Sequence, residues 1–246
     1  MSTMTYAGLD LRRQLRDKAN MFFVVGLPVF MYLVFGTGGS EPVGSGNVAM
    51  YVTISMATYG AVTATTAVSG ASAMEQQMGW GRQLALTPLR PVRFVLLKTA
   101  VAMAVAAVPI ALVYLVGFLT GAEGDLGDWL GSAALAWLGS AVFAIYGLAV
   151  CQVFRTTNAV SIAAGAIVVL AFLGSVFIPL SGTMLQIGRF TPLYGVAALA
   201  RYPLTDGMTP TDVHDPLWLP IVNVVAWALV FTALAVWGMR RSKERV

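Results

Sequence analysis

Residues 47–74 read NVAMYVTISMATYGAVTATTAVSGASAM, twenty-eight positions without a charged side chain. An α-helix rises about 1.5 Å per residue, so roughly 20 apolar residues cross the ~30 Å hydrocarbon layer of a bilayer. Asn47–Met74 exceeds that length; either it tilts or its far end projects into water. Five further runs qualify as crossings: Met21–Gly36, Phe94–Leu119, Trp129–Cys151, Ala159–Ile178 and Leu217–Met239. The first is short, and Pro28 is expected to kink it. None shows the alternation of a membrane barrel. The pattern predicts an all-α membrane protein of six transmembrane helices forming one domain over residues 1–246.

Composition agrees. The 246 residues are 58% hydrophobic and 11% charged, whereas a soluble domain carries about 25% charged residues. A lone cysteine, Cys151, excludes an internal disulfide framework, and one histidine with one cysteine leaves too few ligands for a usual zinc site. Placing the N-terminus in the cytoplasm puts thirteen of the fifteen Lys and Arg residues on that side; only Arg189 and Arg201 fall outside. The positive-inside rule therefore predicts a multi-pass protein of the cell (plasma or inner) membrane with both termini cytoplasmic. It also accounts for the net charge of +4, leaving no call for a nucleic-acid partner. Arg12, Arg13, Arg16 and Lys18 precede the first run, mixed with Asp10 and Asp17; that run reads as a retained anchor rather than a cleaved signal.

Two segments stand outside the spans. Residues 4–18 bring Met4, Leu11 and Leu15 near one face, with Arg12, Arg13, Arg16 and Asp17 elsewhere, the pattern of an interfacial helix; the plainer reading is a basic flank that sets topology. Residues 179–216 are largely apolar, yet Pro179, Pro192 and Pro203 cut them into pieces too short to span. Short re-entrant or interfacial helices are expected there, because irregular backbone at membrane depth requires protein or a water-filled cavity around it.

Several chemistries are absent from the sequence. Every Asp, Glu, Lys and Arg falls at a span end or in a loop, which predicts an uncharged bundle interior and weighs against an ion-coupled carrier. His214, the one histidine, lies in the outer loop, so an intramembrane protease lacks its base. No G-x-x-x-x-G-K-[ST] phosphate loop occurs, so the chain is expected to hydrolyse no ATP by itself and to hold no cofactor. The second run carries Ala57, Ala61, Thr65, Ser69 and Ala73 at four-residue spacing, with Gly60 and Ala64 beside them. Such a face is either a packing seam or the wall of a pore or subunit interface, where Thr53, Thr58 and Thr66 could present hydroxyls.

The segment after the second run reads Met74-Glu75-Gln76-Gln77-Met78-Gly79-Trp80-Gly81-Arg82-Gln83-Leu84-Ala85-Leu86-Thr87-Pro88-Leu89-Arg90, and Lys98 lies within the start of the third. It resembles the ABC type-2 permeases, membrane subunits of ATP-binding-cassette exporters. In that family a glutamate closes the second span, followed by a glycine, a leucine-rich turn, a Thr-Pro or Ser-Pro step and a basic residue. Glu75, Gly79, Leu84, Thr87, Pro88 and Arg90 match, and Lys98 matches the lysine with which the family opens its third span; Gln76 and Gln77 depart from the charge usual after the glutamate. The resemblance extends over nearly the whole chain, through the Thr191-Pro192 step of the outer loop.

The resemblance implies two permease subunits, identical or different, side by side in the bilayer above two ABC ATPase subunits that bind ATP and Mg. It implies a coupling loop over residues 75–93, in which Glu75, Gly79, Trp80, Leu84, Thr87, Pro88 and Arg90 meet the ATPase. It also makes Pro179, Thr191 and Pro192 candidates for an outer gate. The function expected is that of a non-enzymatic permease subunit exporting an amphiphilic drug-like or antibiotic-like molecule, a lipid or a peptide. The competing reading is a membrane sensor or scaffold that docks a cytoplasmic signalling partner.

Overall fold

The computed structural model describes residues 3–75, 91–154, 156 and 158–243. Its helices are α1 (Thr3–Arg16), α2 (Lys18–Met21), α3 (Leu27–Phe35), α4 (Val48–Glu75), α5 (Pro91–Leu119), α6 (Leu126–Phe154), α7 (Ala159–Leu173), α8 (Gly182–Gly188), α9 (Pro192–Thr205) and α10 (Trp218–Lys243). A single π-turn, Phe22–Gly26, joins α2 to α3. A small antiparallel hairpin, Pro42–Val43 (β1) with Gly46–Asn47 (β2), leads into α4.

The first apolar run is therefore helical in pieces. Pro28 lacks an N–H and lies just after the π-turn, so it cannot donate to the helical turn before it. The turn before it widens to i→i+5 bonding, as the bond from the Leu27 N–H to the Phe22 carbonyl records.

Helix α4 is the central post, packed most extensively against α6 and α5. Most of its residues are buried on all sides, including Thr53, Thr58, Thr65 and Thr66. Small residues permit this by letting neighbouring backbones approach. A Cβ at Gly147 of α6 would stand 2.5 Å from the Thr66 carbonyl oxygen, and one at Gly60 would stand 2.7 Å from Pro109 of α5. Across the α4–α6 seam, Thr65 Oγ1 donates to the Ser140 carbonyl at 2.9 Å and Thr66 Oγ1 to that of Phe143 at 3.2 Å. Thr53 and Thr58 bond back to the carbonyls of Ala49 and Ile54.

The fifth run departs from expectation. Its helix stops at Leu173, five residues short of Ile178. Gly174 follows, then Ser175 in the left-handed region at φ 56°. The Val176 N–H reaches back to the Ala171 carbonyl at 3.0 Å, and Ser175 Oγ accepts the Leu180 N–H at 3.0 Å, so the freed backbone groups find partners. The chain then forms α8 and α9. Helix α9 lies along α6 in the opposite direction: Pro203 packs at Gly131 and Val196 at Gly139.

Among the described residues, three stretches are long and apolar enough to cross a bilayer by themselves: Lys98–Leu119, Leu126–Phe154 and Trp218–Met239. Phe22–Phe35 and Ala159–Leu173 are apolar but shorter. Helix α4 has the length; its hydroxyls and glycines face protein instead of hydrocarbon. Helix α10 is the reverse, with Val222, Leu229 and Trp237 exposed along an apolar surface suited to lipid.

Gly147→Ala is expected to destabilise the protein by about 1–3 kcal/mol, because the methyl group meets backbone on α4. Gly165→Ala, which meets nothing within 4 Å, is expected to be neutral or to stabilise by up to ~1 kcal/mol. Thermal melting of the detergent-purified variants checks both; equal midpoints would refute the seam as described.

Candidate functional site

Helix α1 docks through its polar side. Asp10 and Gln14, one turn apart, are buried, whereas Leu9, Arg12, Leu15 and Arg16 are exposed. Asp10 is drawn inward by Lys98, whose side chain is only 6% exposed near the start of α5. Lys98 Nζ donates to Asp10 Oδ2 at 2.9 Å and to Glu75 Oε2 at 3.1 Å. Arg13 bonds Glu75 Oε1 and stands 3.8 Å from Asp10 Oδ1. Two cations and two carboxylates thus fasten α1 to the last residue of α4 and the first turns of α5.

An ammonium withdrawn from water is tolerated only where close partners replace its hydration. Burial pushes the Glu75 carboxyl up, but the bonds from Arg13 and Lys98 outweigh it and hold the group below the usual glutamate range. Glu75 is the last described residue before segment 76–90 and Lys98 lies two turns into the helix that follows it, so the ion pair ties α4 to α5 near that segment. Gly79, Trp80, Leu84, Thr87, Pro88 and Arg90 lie outside the described residues. The motif points to Glu75, but it does not point to Asp10 or Arg13. The available signal was an Asp and a Lys bordering apolar surface, where an unpaired charge is costly.

The small-residue face of α4 is occupied within this chain. Ala57, Gly60, Ala61, Ala64, Thr65 and Ser69 are all buried. At the opposite end of α4, Thr191 precedes α9 and donates from Oγ1 to the Gly188 carbonyl at 2.7 Å. Pro192 opens α9 and is buried, while Pro179 is exposed in the loop after α7.

The interior expected to be uncharged carries buried charge at both of its ends. At the Tyr51 end of α4, Arg201, Asp128 and Asp215 are buried. Asp215 accepts from Arg189 and from the Tyr194 hydroxyl. Arg201 donates to the Tyr51 hydroxyl and to the Ser175 carbonyl at 3.0 Å. Asp128 Oδ2 accepts from Ser45 Oγ at 2.7 Å and from the Asp125 N–H at 2.9 Å.

The family model described as ABC-2 type transporter matches residues 4–194, from the first helix to the start of α9. Comparison with curated proteins found no match.

Lys98→Met leaves two carboxylates without their shared cation and is expected to cost about 3–5 kcal/mol. Adding Asp10→Asn and Glu75→Gln should recover much of it, and unchanged melting of the single variant would refute the cluster as a fastener. A carboxyl with a lowered pKa stabilises the fold fully above its ordinary value, about 4.3 for glutamate. That contribution is lost as pH falls through the lowered value. The stability gap between wild type and Glu75→Gln should therefore be level near neutrality and close below pH ~4, as followed by melting across pH.

Proposed function

This chain belongs to the ABC-2 type transporter family and is an integral membrane subunit of an ABC transporter; from that premise we propose that it is an exporter permease powered by separate ATPase subunits. The observation that carries the reading is the ion cluster of Asp10, Arg13, Glu75 and Lys98, which ties together α1, the end of α4 that leads into segment 76–90 and the helix that follows it. A segment held at its base in this way can receive a push from a docked partner and pass it to α1, α4 and α5 together.

The segment running from Glu75 to Arg93 is the coupling element in this proposal. Trp80, Leu84 and Leu86 are its apolar anchors, and Gly79, Thr87, Pro88 and Arg90 shape the turns around them. ATP and Mg belong to the partner ATPase, and two permease subunits, identical or different, complete the assembly.

Six crossings are proposed: α2–α3 with their π-turn, then α4, α5, α6, α7 and α10. Helix α7, at fifteen residues, is about 22 Å long, shorter than the hydrocarbon layer. The chain completes that crossing through Gly174–Leu180, while α8 and α9 form the re-entrant pair. The contact of Val196 with Gly139, thirteen residues into α6, supports this by placing the first half of α9 about 20 Å along that helix. The termini are assigned to the cytoplasm of a cell membrane by the excess of Lys and Arg.

Cargo is proposed to be amphiphilic: a drug-like or antibiotic-like molecule, a lipid or a peptide. Among the described residues, buried charge is confined to the two ends of the bundle, which leaves an apolar middle. Pro179, Thr191 and Pro192, at the entry to the α8–α9 pair, are proposed to belong to the outer gate.

Leu84→Asp tests the coupling element. A carboxylate in an apolar groove costs several kcal/mol, so the variant should insert normally, lose copurification with its ATPase and lose transport. Retention of both would overturn the assignment. Gly127→Cys tests the orientation: the position is exposed with open space around its Cβ, whereas Cys151 is buried. In a Cys151→Ser background, an impermeant maleimide should label Gly127→Cys from outside intact cells. Labelling confined to inverted vesicles would reverse the topology.

A further inference from the structure

Arg201 projects from α9 beneath the first turn of α4 and is 5% exposed. Its Nε donates to the Ala197 carbonyl at 3.0 Å, and its Nη1 donates to the Tyr51 hydroxyl and the Ser175 carbonyl. The guanidinium carbon lies 4.8 Å from the centre of the Tyr51 ring. Every one of these partners is neutral. No carboxylate among the described residues comes within 4.0 Å of Arg201. The remaining terminal nitrogen, Nη2, makes no hydrogen bond.

Arg201 lines a cavity of about 30 Å³ together with Tyr51, Ser175, Tyr194, Tyr202 and Asp215. That volume suits a single water molecule or an ion of similar size. Asp215 does not neutralise Arg201, because its two oxygens are committed to Arg189 and to the Tyr194 hydroxyl. Asp128, the other buried carboxylate at this end, is bonded to Ser45 and to the Asp125 N–H, so neither carboxylate bonds Arg201. An arginine stays protonated in a protein, and a buried charge is stable only with a counter-charge or a full set of hydrogen bonds. Arg201 lacks both.

We propose that this cavity is an anion site, in which a single monovalent anion of halide or carboxylate size is held by Arg201 Nη2 and neighbouring hydroxyls. The cavity is too small for an amphiphilic cargo molecule, so the site is separate from cargo transport and does not depend on the exporter reading. The anion can be a free ion or the charged group of an anionic lipid; the chemistry at Arg201 is the same.

The test uses the full chain in nanodiscs of zwitterionic lipid, in gluconate buffer at constant ionic strength. Chloride is added, and its ³⁵Cl resonance is followed for protein-dependent broadening. Broadening that excess bromide removes, and that Arg201→Gln abolishes while Arg16→Gln keeps it, supports the site. Absence of broadening on the wild type, or full broadening on a folded Arg201→Gln, overturns it. Should Arg201→Gln not fold, Arg201→Lys and the bromide competition on the wild type decide. Repeating the measurement with anionic lipid separates the sources: broadening lost there identifies the headgroup as the occupant, and broadening retained identifies the free ion.

Discussion

Close approach of α4 to its neighbours is the condition on which this bundle rests. A helix with so many hydroxyls and glycines cannot face hydrocarbon, and it cannot close against other helices unless they too are thin where they meet it. Gly147 supplies that thinness on α6 and Gly117, which packs on Thr53, supplies it on α5. The threonine hydroxyls then bond carbonyls within α4 or across the seam, so polar content costs little. With α4 enclosed, the apolar surface left for lipid falls to α10 and the outward faces of the other helices.

Charge is placed by the same logic. Within a bilayer an ion is tolerated where partners or water reach it, and the buried ions here lie at the two ends of α4. At the Glu75 end, paired carboxylates and cations cancel. At the Tyr51 end the carboxylates of Asp128 and Asp215 are bonded elsewhere, and Arg201 is met by hydroxyl, carbonyl and ring. The two ends therefore differ in kind: at one the cations and carboxylates bond each other directly, at the other Arg201 stands apart from both buried carboxylates.

Much of this was legible in the sequence, and the failures have physical causes. Apolar runs locate the helices because length against bilayer thickness is a strong constraint. The end of α7 was missed because Val176, Phe177 and Ile178 carry the apolar run on past it. What stops the helix is the left-handed Ser175 and its bond to Leu180, which hydropathy does not register. The motif drew attention to Glu75, yet its partner Asp10 lies 65 residues earlier in the chain, and pairing at that separation is invisible to local spacing. Arg201 was counted as a loop charge, because only the antiparallel course of α9 along α6 carries it beneath Tyr51. Residues 76–90, where most of the motif sits, fall outside the described residues, and their role rests on the resemblance and on how their flanks are held.

Helix α4 is common to both polar clusters. Tyr51 and Glu75 are separated by twenty-four residues, about 36 Å of helix, with no proline between them. A helix without proline and packed on all sides resists bending, so a displacement imposed at Glu75 has two outlets: slippage along the α6 seam, or movement of Tyr51 against Arg201. The seam opposes slippage, since sliding α4 breaks the bonds from Thr65 and Thr66 and drives side chains over Gly147. Tyr51, by contrast, is held to α9 through one hydroxyl and one ring face. Sliding α4 as a rigid rod would therefore strain both the α6 seam and the contact between Tyr51 and Arg201.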